Sequence, residues 1–155
     1  MVTAMGAGEF VITAGFAAWL LLSAYNHLSD WRGTVEFVAA FMKMSSLDQE
    51  PAIPSPLKSR QVNSTTIHRL AVTVITLVRA GLGGLFAFAA WWFAHGSEEA
   101  ARTLAAYAFA GLAALWFGFL IAGAWFGCWI RQDGLQRTHL VLLGLAMLGF
   151  VMVSR

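Results

Sequence analysis

Charge is what this sequence has least of. Asp, Glu, Lys and Arg make up 12% of its 155 residues and hydrophobic types 59%, where a soluble domain carries about 25% and 45–50%. Cysteine is nearly absent, and Cys128 alone excludes an internal disulfide or a cysteine-built metal cluster. Proline is confined to Pro51, Pro54 and Pro56, so no long apolar stretch is interrupted by one. There is no His-Glu-x-x-His, phosphate loop, Gly-x-Ser-x-Gly or pair of carboxylates inside an apolar run, so neither an enzyme nor a metal site is expected. The basic residues are dispersed, which argues against a nucleic-acid partner. Sparse polar groups at depth and unbroken helices also argue against a transporter.

What remains is four uncharged or nearly uncharged stretches with the charges kept between them, the pattern of a polytopic membrane protein. Spans are expected over about 9–27, 67–95, 103–130 and 138–154, within one membrane domain covering 1–155. The first apolar core, Phe10 to Tyr25, is only ~24 Å long at 1.5 Å per residue, so the small residues Thr3 to Gly8 are expected to extend it. Met1 to Gly8 contain no basic residue, so they lack the charged region of a secretory signal and the first span is expected to be retained.

The segment of about 30–66 is the one sizeable extramembrane piece. From Trp31 to Met44, apolar residues recur with helical spacing while Glu36 and Lys43 share another face. This predicts a short amphipathic helix in the membrane interface, with Asp30 as its N-cap. The fold class is therefore an all-α integral membrane bundle of four helices, with that interfacial helix between helices one and two.

Basic residues set the expected orientation. Arg32, Lys43, Lys58, Arg60, Arg69, Arg131 and Arg137 flank one side, against Arg102 and Arg155 on the other. The asymmetry predicts a cytoplasmic loop side and periplasmic termini. Trp31 and Trp129 fall at one expected membrane edge and Trp91 and Trp92 at the other, while Trp19, Trp116 and Trp125 are expected to lie deeper.

Two sequence stretches carry a family resemblance. One is Asn26-His27-Leu28-Ser29-Asp30 followed by Glu36-Phe37-Val38 and Met44. The other is Phe117-Gly118-Phe119 through Gly123-Ala124-Trp125-Phe126-Gly127-Cys128-Trp129. Together they resemble the bacterial predicted small integral membrane proteins of domain-of-unknown-function family 2165, over most of the chain. The resemblance implies the four-span fold and a bacterial inner-membrane location, and no particular chemistry. Arg79 and Ala124 stand where the family pattern suggests acids, so any activity carried by those acids is not implied here.

Arg79 is the sharpest single signal. It lies ten residues past Arg69, roughly 15 Å along the helix, where burying the charge costs at least ~2.5 kcal/mol. All eight acidic residues sit in loops or at span ends. Snorkelling is one account. Otherwise its counterpart is expected to be a backbone carbonyl, a lipid phosphate, an anionic cofactor or another subunit's carboxylate.

His27, His68 and His139 are expected at one membrane edge on three different spans, where imidazoles can be plain interfacial residues or can handle haem or a quinone. Gly123 and Gly127 form a Gly-x-x-x-Gly around Trp125, the spacing that lets membrane helices approach within a bundle or against a partner.

The function expected from these features is an accessory transmembrane subunit of a larger energy-transducing complex, respiratory or photosynthetic. It would meet other membrane subunits and phospholipids through Arg79, Gly123, Gly127 and Trp125, with lipid in place of a resident cofactor. The alternative is a small redox protein handling quinone or haem through His27, His68 and His139.

Overall fold

The computed structural model describes residues 4–155. Its long elements are α1 (Ala4–Ser29), α2 (Trp31–Met42), α3 (Thr65–His95), α4 (Glu98–Trp125) and α5 (Asp133–Val153). No strand occurs among the described residues. α1, α3, α4 and α5 are long and apolar enough to cross a membrane. Even α5, with 21 residues, spans ~31 Å at 1.5 Å per residue, about the thickness of a bilayer's hydrocarbon core. The chain is an integral membrane protein with four such helices and one short helix after the first. The expected extension of the first span begins at Ala4; Thr3 lies outside the described residues.

The spanning helices alternate in direction and pack in the order α1, α3, α4, α5, with little contact between the two outer ones. Helix starts follow local chemistry. The Asp30 carboxylate accepts from the Gly33 N–H at 2.9 Å and caps α2. Ser64 caps α3 through Ile67 N–H, and Ser97 caps α4 through Ala100 N–H at 3.1 Å. Each satisfies a donor that the first helical turn would otherwise leave open.

The third span ends sooner than its hydropathy suggests. α4 stops at Trp125 because Gly127 takes a left-handed conformation with φ +62°, which glycine adopts without a Cβ penalty. A 3₁₀ turn, Cys128–Ile130, follows. α5 in turn begins at Asp133, five residues before the expected 138, with Asp133 and Arg137 paired at 2.6 Å in its first turn. An acidic residue there also complements the helix dipole.

Packing combines small and aromatic residues. Ala17, Ala89, Ala105, Ala108 and Ala146 are buried and let backbones approach. Phe16, Phe86 and Phe109 fill the centre, with Phe86 and Phe109 edge-to-face at 4.8 Å. At the end remote from the loop, Arg102 on α4 pairs with the buried carboxylate of Glu9 on α1 at 3.0 Å. α2 lies at the opposite, loop-side end against α3, and none of its residues is fully buried.

Candidate functional site

Arg79 sits midway along α3. Side chains on a helix lean towards its N-terminus, which carries the guanidinium towards the loop-side end. There α1 presents Ser23 and His27, four residues apart and therefore on one face. Arg79 Nη1 donates to Ser23 Oγ at 2.5 Å and to His27 Nε2 at 3.0 Å.

This arrangement fixes the state of His27. A guanidinium only donates, so Nε2 must accept and cannot carry a proton. Nδ1 then holds the hydrogen and donates it to Thr76 Oγ1 at 3.0 Å. Thr76 is three residues before Arg79 on the same helix. The four side chains form one hydrogen-bonded run, Ser23–Arg79–His27–Thr76, with a charged group held by two neutral acceptors. The guanidinium also lies over the Phe119 ring, 5.8 Å from its centroid, a cation–π distance.

Beside this set is a cavity of about 290 Å³. α2 contributes Phe37, Val38, Phe41 and Met42, and α3 contributes Ala71, Val72 and Ile75. Phe119, Ala122 and Gly123 come from α4, and Leu135, Gln136 and His139 from α5. The walls are mostly apolar, with Arg79, His27, Gln136 and His139 as the main polar groups. Two polar atoms on these residues are buried without a hydrogen-bond partner, Arg79 Nε and Gln136 Oε1. His139 stacks on Trp116 at 5.7 Å and lies tilted against Phe119 at 5.0 Å.

The family model described as predicted small integral membrane protein, domain-of-unknown-function family 2165, matches residues 7–155. The chain belongs to family 2165. No curated protein and no solved structure matches it. In this family 2165 protein, the site is therefore built from its own geometry.

Several expectations change. Arg79 meets partners within its own chain, hydroxyl and imidazole acceptors that a tally of carboxylates passes over. The three histidines do not form one ligand set. His27 has both ring nitrogens engaged, His68 donates from Nε2 to Val62 O at 2.8 Å and pins the loop to α3, and only His27 and His139 line the cavity. Among the described residues, no three His, Cys, Asp or Glu side chains group as metal ligands.

Gly123 and Gly127 do not share one helix face. The helix ends between them, Gly123 lines the cavity, and Gly127 is packed under Leu57 and Met44. Trp125 closes α4 at the edge rather than lying deep, exposed apart from the Arg60 guanidinium 4.9 Å from its ring centroid.

Cys128 lies on the cavity wall. Burial pushes its thiol above the usual range, and the Asp133 carboxylate adds to the shift by opposing a second negative charge. Its Sγ–H points to Gln132 O at 3.4 Å. Such a thiol packs as a small apolar group and is poorly nucleophilic.

Sequence reasoning misses Ser23, Thr76 and Gln136, and reaches Phe119 only as part of the stretch that carries the family resemblance. Helical spacing carries a usable signal for two pairs, Ser23 with His27 and Thr76 with Arg79. Nothing local marks Gln136.

Proposed function

We propose that this membrane protein binds an amphiphile drawn from the bilayer, its polar head near Arg79 and its apolar body along the walls formed by α2, α3 and α4. The observation that carries this reading is an apolar cavity bordered by a half-buried cation. An apolar void of that size costs packing energy if left empty, and the buried, unpartnered Arg79 Nε and Gln136 Oε1 are polar groups without a full complement of bonds. Apolar walls with a few convergent polar groups are the usual composition of a small-molecule site.

The accessory-subunit reading leaned on Arg79 having no partner in its own chain. Ser23 and His27 supply hydrogen bonds but no counter-charge, and the cavity beside the guanidinium gives that charge a place to meet an anion without a second subunit. Redox handling through three histidines loses its basis, because they do not converge.

The test is mass spectrometry of the full chain solubilised in mild detergent, with extraction of its bound small molecules. The expected result is about one retained amphiphile per chain in the wild type and its loss in Ala122→Phe, which fills the cavity without touching Arg79. Equal lipid content in both proteins overturns the reading. A stoichiometric membrane subunit recovered with an empty cavity returns the weight to the accessory role.

A further inference from the structure

The cavity carries a charge that nothing on its wall balances. Arg79 is the one formally charged residue lining it, and no carboxylate does. The ion pairs among the described residues lie elsewhere and involve Arg32, Lys58, Arg102 and Arg137. Ser23 and His27 give hydrogen bonds to the guanidinium, but as neutral acceptors they do not cancel its charge. His27 cannot supply a second cation while it accepts from Arg79.

Resting on the amphiphile reading, we propose that the occupant is a single-tailed monoanion, a long-chain carboxylate whose head pairs with Arg79. Charge is the first ground, since one uncompensated cation in a low-dielectric site calls for one anion. Shape is the second. Nη1 makes both protein bonds, and a planar guanidinium suits the two coplanar oxygens of a carboxylate.

Size is the third ground. About 290 Å³ is some ten times the ~30 Å³ that one water occupies in the liquid, at or below the lower end of ligand pockets. It takes a small head and the first part of one chain, leaving the remaining tail to the bilayer, and suits that better than a phosphoglycerol head with the first parts of two chains. Gln136 can serve the same head. Its amide, turned over, offers N–H in place of the buried oxygen, and these two orientations exchange donor for acceptor at one position.

The experiment is equilibrium binding of radiolabelled palmitate to the full chain in phosphatidylcholine nanodiscs at pH 8, competed by unlabelled palmitate, hexadecanol or phosphatidylglycerol. Saturable binding of one palmitate per chain is expected, with hexadecanol at least about tenfold weaker, the worth of one charge-assisted hydrogen bond. Arg79→Gln should remove that preference, and Arg79→Lys should keep part of it. Should Arg79→Gln fail to fold, Ala122→Phe with Arg79 intact must abolish saturable binding.

Equal competition by hexadecanol overturns the charge assignment and leaves the amphiphile reading standing. Equal competition by phosphatidylglycerol overturns the single tail. Absence of saturable palmitate binding overturns the inference as a whole, whereas the extraction comparison between wild type and Ala122→Phe decides the broader reading by itself.

Discussion

Glu9 and Arg102, 93 residues apart in sequence, join α1 to α4 through a pair that is far more deeply buried on one side than on the other. The Glu9 side chain is 3% exposed and the Arg102 side chain 24%, and Arg102 has a second carboxylate, Glu98, at 3.7 Å. The two partners should therefore differ in their response to mutation. Arg102→Met strands a buried carboxylate and is expected to cost about 3 kcal/mol or more. Glu9→Gln leaves Arg102 near water and near Glu98, and should cost about half as much. The double variant should recover most of the Arg102→Met loss. Thermal unfolding in detergent, followed by tryptophan fluorescence, checks all three, and equal single-mutant losses would contradict the asymmetry.

The Arg79–His27 bond predicts which replacements of His27 are tolerated. Glutamine keeps an acceptor for the guanidinium, and phenylalanine keeps only bulk. His27→Phe is expected to lose about 1.5–3 kcal/mol, the range for a hydrogen bond to a charged group, and His27→Gln about 1 kcal/mol or less. The same unfolding assay separates them. A smaller loss for His27→Phe than for His27→Gln would mean that ring volume, and not the bond to Arg79, is what His27 provides.

Two glycines in different settings should behave oppositely. A Cβ on Gly149 would press on the ring of Phe109, which is fully buried and has no room to retreat, so Gly149→Ala should cost about 1–3 kcal/mol. Nothing lies within 4 Å of a Cβ at Gly118, and Gly118→Ala should gain up to about 1 kcal/mol from helix propensity. Paired melting curves of the two variants test this, and a stable Gly149→Ala would show that α4 and α5 can part without cost.

Cys128 predicts a pH profile for alkylation. The thiolate is the reactive form, and burial with Asp133 nearby raises the pH at which it appears. Reaction with a small maleimide should be slower than for a free thiol at pH 7. It should still be rising at pH 8.5, where an unperturbed thiol begins to level off. A plateau at or below pH 8.5 would show that the turn after α4 opens to water.

The spans were legible because their ends coincide with clusters of charge, and α2 because Asp30 and the spacing of Val35, Val38 and Met42 announce an amphipathic helix. The stop at Trp125 was hidden. Phe126, Cys128, Trp129 and Ile130 continue the apolar run, while the feature that ends the helix, the φ of Gly127, leaves no trace in hydropathy. Arg79 stood out for the converse reason, as a charge where none belongs. Its partners did not, because a hydroxyl and an imidazole supply hydrogen bonds without charge. The cavity depends on how α2 sits against α3 and on where α4 ends, both matters of tertiary packing that local sequence does not encode.

The position of α2 at one end of the bundle has a directional consequence. The cavity is bordered by the last turns of α1 and α4 and the first turns of α5, with the N-terminal half of α3 behind them. It therefore lies in the loop-side half of the bundle, while the opposite half is filled by the packing around Phe86, Phe109 and the Glu9–Arg102 pair. Under the proposed amphiphile reading, the occupant is drawn from a single monolayer, and a lipid that changes sides would enter or leave its reach without any change in total membrane content.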